Sequence, residues 1–144
     1  MDKVIAYVDG GARGNPGPAA IGVVLLDGRE KVLKEYGQTL GVKTNNEAEY
    51  SAAIFALEKT KALWGKTKIK GLSMEIRSDS QLLVEQMNGR YKISNKNLAL
   101  LFLKAWNLKI DFGKVEFIFI NRSENTEADR LVNESLDQEK GKLF

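Results

Sequence analysis

The chain has 144 residues, 43% of them apolar, so it is long enough to form one globular domain with a substantial hydrophobic core. Its net charge is +3, which suits a polyanionic partner but is also common in proteins that bind none. Cysteine and histidine are both absent, which excludes disulfide bonds, thiolate and imidazole metal ligands, and a histidine base. A bound metal ion would therefore be held by oxygen atoms, which favours Mg²⁺ or Mn²⁺ over Zn²⁺.

The chain shows no membrane or export signal. Its longest apolar runs, residues 21–26 and 117–120, are far shorter than a membrane span. The N-terminus enters a strand pattern at once and lacks the apolar core of a signal peptide. We therefore expect a cytoplasmic protein without membrane contact, and the initiating methionine and compact ending favour a free-standing monomer.

The first part of the chain predicts three antiparallel strands. Residues 3–9 alternate between two faces, with Asp9 at the end of the strand. A glycine-rich segment follows. Residues 20–26 and 31–37 then form a hairpin around Asp27-Gly28, a dipeptide that favours tight turns.

The rest of the chain alternates helices and strands. The predicted helices are residues 44–61, 80–88, 95–109 and 125–140, and the predicted strands are residues 72–78 and 115–120, with a basic loop over residues 65–71. In the third helix, an apolar face with helical spacing is assigned to the core: Leu98, Leu101, Phe102 and Ala105. Together these elements predict an α/β protein with a five-stranded mixed sheet flanked by helices, formed by residues 1–144 as a single domain.

Four carboxylates stand where these elements would bring them to one place. They are Asp9 after the first strand, Glu49 in the first helix, Asp79 after the fourth strand and Asp129 one turn into the last helix. Taken singly, Asp79 would more often be a helix cap and Asp129 an exposed helix residue. Because clustered carboxylates repel one another unless a cation intervenes, the set predicts a divalent-metal site.

Two glutamates near the start of the first helix compete for the inward position. Glu49 is in register with Ala52 and Ala56, on a face of small residues that can pack closely on a sheet. Glu47 lies on a more solvent-like face and is interpreted as a capping or exposed residue. An inward carboxylate needs compensation for its charge, which a metal ion provides, so Glu49 is the predicted ligand.

Asp9 is followed by a glycine-rich segment, residues 10–18, that we interpret as a loop. Its glycines let backbone amides approach a ligand closely, and Arg13 and Asn15 add donors, so the loop suits a phosphate or a sugar. For the glycines alone, a plain tight connection is an equal alternative. The neighbouring Asp9 favours the binding role.

In combination, these motifs resemble the type 1 ribonuclease H family. The matching motifs, in chain order, are Asp9-Gly10-Gly11, residues 14–18, Thr44-Asn45-Asn46 leading to Glu49, residues 78–81, and Asn125 with residues 128–131. The resemblance covers essentially the whole chain, and the motifs are specific as a set. It implies a ribonuclease H-like fold.

The resemblance also implies a reaction. Asp9, Glu49, Asp79 and Asp129 would be the catalytic metal ligands, and two Mg²⁺ ions, with Mn²⁺ as the alternative, would bind the scissile phosphate. The substrate implied is the RNA strand of an RNA–DNA hybrid, cut to leave a 5′ phosphate and a 3′ hydroxyl. Without substrate, only one of the two ions is expected to bind well.

By the same resemblance, a set of amide and hydroxyl groups contacts the hybrid. The implied substrate-binding residues are Gly10, Gly11, Arg13, Asn15, Thr44, Asn45, Asn46 and Gln81. Most would contact sugars and minor-groove base edges, where a 2′ hydroxyl distinguishes RNA from DNA. Thr44 and Asn15 would hold a phosphate of the DNA strand.

The sequence departs from the family pattern in two places. Many members carry a histidine before the last helix, thought to help product leave, and here Arg122 is the candidate for that role, as a fixed positive charge and not a proton carrier. A surface arginine without a role is the alternative. Some members also carry a basic protrusion where this chain has only residues 89–94, whose Arg90, Tyr91 and Lys92 could partly substitute by charge and stacking.

Three alternatives stay open. A non-catalytic nucleic-acid-binding domain with this fold is disfavoured because four unpaired carboxylates would repel phosphate. An integrase-like or junction-cleaving nuclease would share the architecture, although the glycine-rich segment and Thr44-Asn45-Asn46 favour hybrid specificity. The chain could also be the nuclease domain of a larger polymerase.

Overall fold

The structure is a computed structural model that describes residues 2–142. Five strands and four α-helices occur in these residues: β1 (Asp2–Ala12), β2 (Gly17–Asp27), β3 (Val32–Lys43), α1 (Asn45–Trp64), β4 (Leu72–Ser78), α2 (Gln81–Met87), α3 (Lys96–Ile110), β5 (Lys114–Phe119) and α4 (Thr126–Lys142). Two short 3₁₀ helices, Lys68–Gly71 and Arg122–Glu124, precede β4 and α4. No helix within this part of the chain is both long and apolar enough to span a membrane.

The strands form one mixed sheet in the order β3-β2-β1-β4-β5. The hairpins make β1, β2 and β3 antiparallel, whereas β4 runs parallel to β1 and β5 runs parallel to β4. The predicted five-stranded α/β fold with three antiparallel strands first is therefore confirmed. This topology places β1 at the centre of the sheet, so the ends of β1 and β4 lie side by side.

Helices cover both faces of the sheet. α1 packs on β1 and β2 with α3 against it, and α4 packs on β2 and β3 from the other side. Val4, Ala6 and Val8 of β1 enter the α1 core, and residues such as Leu57 are fully buried there. Burial of such a leucine side chain stabilises the fold by roughly 1.5–3 kcal/mol.

Side-chain caps fix where the helices begin. The Thr44 hydroxyl accepts the Glu47 amide hydrogen at 3.1 Å, and the Glu47 carboxylate accepts the Thr44 amide hydrogen at 2.9 Å. Glu47 is thus a capping residue, as predicted. At α2 the cap is Ser80, whose hydroxyl accepts the Leu83 amide hydrogen at 3.2 Å, so Asp79 is not the helix cap.

The largest departure from the predicted elements concerns the glycine-rich segment. β1 does not end at Asp9 but continues to Ala12, because Gly10, Gly11 and Ala12 pair with the first residues of β2. The loop is thereby reduced to residues 13–16, which include a cis Asn15-Pro16 bond. β3 also runs further than predicted, and in α3 only Leu98 and Ala105 of the predicted core face are fully buried.

Candidate metal and phosphate site

Asp9 lies near the centre of the sheet, on β1 and opposite Gly22 of β2. Only 8% of the residue is exposed. Asp79 follows the end of the parallel strand β4, whose last residue Ser78 is paired with Val8. The sheet itself therefore brings these two carboxylates together.

Glycine at position 10 brings Glu49 to the same place. A Cβ at Gly10 would collide with the main-chain carbonyl of Ala48, so only glycine lets the first turn of α1 lie directly on β1. The Gly10 amide then donates a hydrogen bond to Glu49 Oε1 at 3.1 Å. The amide of Gly10, a predicted substrate contact, is engaged by this carboxylate.

A second close approach brings α4 to the site. A Cβ at Gly22 would collide with the main-chain carbonyl of Ala128, the residue before Asp129. Asn125, at the start of this helix, donates from its side-chain amide to the main-chain carbonyl of Val8 at 2.8 Å. α4 is thus fixed beside β1, and Asp129 faces the carboxylates from the opposite side to Glu49.

The predicted carboxylates meet in a cleft of about 560 Å³. Asp9, Glu49 and Asp79 each offer a carboxylate oxygen, and these atoms lie within 4.8 Å of one another. Asp129 lines the same cleft but is more exposed and lies outside this trio. Helix geometry correctly separated Glu49, which is in the cluster, from Glu47, which caps α1.

The cluster is electrostatically unfavourable as it stands. Burial, followed by the charge of Asp79, raises the pKa of Asp9 from 3.8 to about 7. Burial, followed by the charge of Asp9, raises the pKa of Glu49 well above its usual value. Glu49 Oε2 is buried and has no hydrogen-bond partner within the described chain.

These features fit a divalent cation with a preference for oxygen ligands. A cation would neutralise the repulsion that raises the two pKa values, and it would give the unpartnered Glu49 oxygen a ligand role. Three carboxylates from separate elements, with a fourth nearby, match the hard oxygen ligands that Mg²⁺ and Mn²⁺ prefer.

Arg122 also lies at this cleft. It is in the 3₁₀ helix before α4, and its Nε is 3.9 Å from Asp79 Oδ2. Its side chain is 91% exposed, so the contact with Asp79 is weak and the guanidinium can move towards a ligand.

The predicted polar contacts surround the same end of the sheet. The Asn15 side-chain oxygen accepts the Asn45 amide hydrogen at 3.0 Å, and the Asn45 side-chain oxygen accepts the Ala12 amide hydrogen at 2.9 Å. Both side-chain NH₂ groups are left as donors, which suits phosphate or sugar oxygens. Asn45, Asn46 and Gly11 line the cleft.

Three other predicted contacts have different surroundings. Gln81 begins α2 and is exposed, outside the residues that line the cleft. The Thr44 oxygen caps α1. Arg13 lines the cleft, but its Nη2 is 2.8 Å from Asp137 Oδ1 of α4, so its guanidinium also ties the 13–16 loop to that helix.

Comparison with known proteins agrees with this geometry. The family model described as reverse transcriptase-like matches residues 7–135. Ribonuclease HI of Halobacterium salinarum is 42% identical over 135 residues, which cover 94% of this chain and 65% of that protein. The chain belongs to the type 1 ribonuclease H family. The bifunctional protein Rv2228c of Mycobacterium tuberculosis is 38% identical over 136 residues, and this chain spans only 36% of its length.

Solved ribonuclease H structures superpose on nearly the whole chain. The crystal structure of RNase H1 from H. salinarum has a TM-score of 0.88 and 39% identity, covering 94% of this chain and 98% of that one. The N-terminal RNase H domain of Rv2228c has a TM-score of 0.89 and 36% identity, with both chains fully covered. LC11-RNase H1, solved in complex with an RNA/DNA hybrid, has a TM-score of 0.88 and 43% identity, covering 94% of this chain and 97% of that one.

In this ribonuclease H family member, two asparagines, Asn125 and Asn133, make contacts at the site that the sequence did not indicate. Asn125 is 1% exposed and bonds to Val8 beside Asp9, yet neither the family motif that contains it nor its place before the last helix predicted this contact. Asn133 lines the cleft one turn after Asp129 and donates to the Asp129 carbonyl at 3.0 Å. The asparagine-to-aspartate spacing of four at residues 125 and 129 was a usable signal, whereas Asn133 gave none.

Proposed function

We propose that the protein is a metal-dependent endonuclease that hydrolyses the RNA strand of RNA–DNA hybrids. The observation that carries the proposal is the meeting of Asp9, Glu49 and Asp79 within 4.8 Å, with a buried Glu49 oxygen that lacks a partner. The family of the chain supports this substrate class, and so does the RNA/DNA hybrid bound by the related LC11-RNase H1.

The four carboxylates would hold the divalent ions, two of them once substrate is bound. When bound, these ions supply the Lewis acidity that activates water for attack on phosphorus and stabilises the departing 3′ oxygen, leaving 5′ phosphate and 3′ hydroxyl ends. Asp9 and Glu49 are preorganised for this role because the Gly10 amide and the sheet fix them before substrate arrives. The more exposed Asp129 would complete the ligand set.

The polar groups around the cleft would select the hybrid. The free NH₂ groups of Asn15 and Asn45, with Asn46 and the amide of Gly11, would contact sugars and phosphates on the two strands. Thr44 and Asn15 would hold a phosphate of the DNA strand, and Gly10, Arg13 and Gln81 would add further contacts. Such groups distinguish a 2′ hydroxyl, which a lysine does not.

Arg122 would act as a fixed positive charge on the scissile or product phosphate. It lies 3.9 Å from Asp79 and is otherwise exposed, so an incoming phosphate can attract it without breaking a strong ion pair. In a chain without histidine, Arg122 would help phosphate enter and leave, whereas Arg13, the other arginine that lines the cleft, is paired with Asp137.

The proposal is tested by offering labelled RNA–DNA hybrid, double-stranded RNA, double-stranded DNA and single strands with Mg²⁺, Mn²⁺ or chelator. We expect metal-dependent cleavage of the RNA strand of the hybrid alone, and at least about a hundredfold loss in Asp79→Asn. End-labelling of the products checks the 5′ phosphate. Tight hybrid binding without cleavage, or undiminished cleavage by Asp79→Asn, would refute the assignment.

A further inference from the structure

A second concave surface lies at the end of the sheet opposite the carboxylates. β1 and β4 begin there, α1 ends there and the β2–β3 turn closes it. A cleft of about 480 Å³ lies between these segments, with Lys3, Arg29, Leu33 and Trp64 among its lining residues. We call it the basic cleft.

Exposed cations occur in the two segments next to the basic cleft, and one of them, Arg29, lines the cleft itself. The segment 65–71 connects two of its lining residues and is rich in lysine, and the β2–β3 turn forms the facing side. The exposed basic residues of these two segments are Arg29, Lys31, Lys66, Lys68 and Lys70. Among residues 2–142, these side chains form no ion pair.

The two acidic groups that line the basic cleft are outnumbered by these five exposed cations. Asp2 and Asp27 line it. The Asp27 carboxylate accepts the amide hydrogens of Arg29 and Lys31 at 2.8 Å and 3.0 Å, so it is turned into the β2–β3 turn. The surface therefore presents several unpaired cations with a half-buried tryptophan between them, the combination that nucleic-acid backbones and bases recognise.

The two clefts are too far apart to be one binding site. α1 spans 20 residues from Asn45, at the carboxylate cleft, to Trp64, at the basic cleft. At about 1.5 Å per residue this separates them by about 30 Å, or roughly nine nucleotides at the duplex spacing of about 3.4 Å. A ligand in the basic cleft must be a different segment of nucleic acid from the one at the carboxylates.

We propose that the basic cleft binds single-stranded nucleic acid, with phosphates on the cations and a base stacked on Trp64. A single strand is favoured over a duplex because Trp64 is half-buried within a concave surface, which an unpaired base can enter and a paired base cannot. This binding does not depend on hydrolysis. In this arrangement, the protein holds a strand that flanks or faces the segment at the carboxylates.

Anisotropy of a dye-labelled oligothymidine, measured against salt in the presence of chelator, tests the proposal on the full chain. We expect Lys68→Gln/Lys70→Gln to lower affinity about tenfold and to reduce the salt slope by about 1.4, at roughly 0.7 per lost phosphate contact. Trp64→Leu should lower affinity about fivefold or more through lost stacking. The matched variant Lys96→Gln/Lys104→Gln removes the same charge from α3 and should change affinity less than about twofold.

Equal losses in the two lysine pairs would show a general charge effect and overturn the proposal. Native affinity in Trp64→Leu, or equal affinity of the native protein for duplex DNA, would also overturn it. Cleavage of a short blunt hybrid, which reaches only the carboxylate cleft, should be unchanged in Lys68→Gln/Lys70→Gln. Loss of single-strand binding at the basic cleft can therefore be distinguished from loss of hybrid cleavage at the carboxylate cleft.

Discussion

At the scale of single residues, the same substitution can be compared at Glu49 and Glu47, which are two positions apart but have different surroundings. Glu49→Gln removes a carboxylate whose Oε2 is buried without a partner at the metal site, so we expect cleavage of hybrid to be lost while the metal-free fold becomes more stable. Glu47→Gln should keep cleavage and change stability by less than about 1 kcal/mol, because glutamine can still accept the Thr44 amide hydrogen in the capping box. Hybrid cleavage and urea unfolding in chelator measure both effects. A metal-free Glu49→Gln protein that is less stable than the native one would contradict this account.

The raised pKa of Asp9 predicts how the stability of the metal-free protein depends on pH. Its pKa is raised from 3.8 to about 7, so between these values the folded protein holds a proton that the unfolded chain has released. Stability therefore falls as pH rises, by on the order of 2–4 kcal/mol between about pH 4 and about pH 7. Urea unfolding in chelator measures the slope, which Asp9→Asn should flatten and Mg²⁺ should reverse. A slope of the same sign and size in Asp9→Asn would place its origin elsewhere.

Arg122→Ala tests the cationic group at the cleft. Because the side chain is 91% exposed and only loosely paired with Asp79, its loss should leave the fold intact. We expect turnover to fall about tenfold with little change in KM, since the charge acts on phosphate during reaction and release. Arg122→Lys should recover part of the rate. Equal losses in kcat and in affinity, or none, would exclude the role.

The positions and contacts of some of these residues could be predicted from the sequence, and those of others could not. The choice of Glu49 over Glu47 followed from helical periodicity, because a helix fixes which residues share a face. The partner of Arg13 could not be predicted, since Asp137 is far away in sequence and reaches the loop only through the packing of α4. Local geometry is encoded locally, whereas contacts between distant segments depend on the assembled fold.

At the scale of elements, two glycines set the distance between helices and sheet. Gly22→Ala places a methyl group against the Ala128 carbonyl, so α4 must shift and carry Asp129 with it. We expect a loss of about 1–3 kcal/mol from overpacking, together with a fall in hybrid turnover. Gly71→Ala is the control, because nothing lies within 4 Å of its added Cβ. Unchanged turnover in Gly22→Ala, despite lower stability, would separate the position of α4 from catalysis.

Gly10 and Gly11 explain why the predicted end of β1 was wrong. Glycine favours turns in a sequence because it accepts conformations that other residues avoid, so Gly10-Gly11 suggested a loop after Asp9. In the structure these residues stay in the strand because β2 pairs with them, and at Gly10 the close packing of α1 requires the space that a side chain would fill. β4, whose bounds were predicted correctly, alternates apolar and polar residues and has no glycine inside it.

At the scale of the whole molecule, the site is assembled from residues spread between positions 9 and 129. The order of elements along the chain, three hairpin strands and then alternating helices and strands, was sufficient to predict the sheet. It could not predict the basic cleft, which forms where the start of two strands, a turn and a helix end meet. Motifs in the sequence were enough to propose a function for the carboxylate end of the sheet, whereas the proposal for the opposite end required the structure.

The link between α2 and α3 carries basic residues that would meet a bound hybrid beyond the carboxylate cleft. Its Arg90 is not free, because Nε and Nη2 lie 2.7 Å and 3.1 Å from the two oxygens of Glu85. Glu85→Gln would release this guanidinium, so we expect tighter hybrid binding and a salt slope steeper by about 0.9, the value of one added phosphate contact. Glu58→Gln on α1 makes the same charge change and should leave the slope as it was. Hybrid affinity measured against salt in chelator for both variants tests this prediction. An equal change in the salt slopes of the two variants would mean that Arg90 does not contact the hybrid.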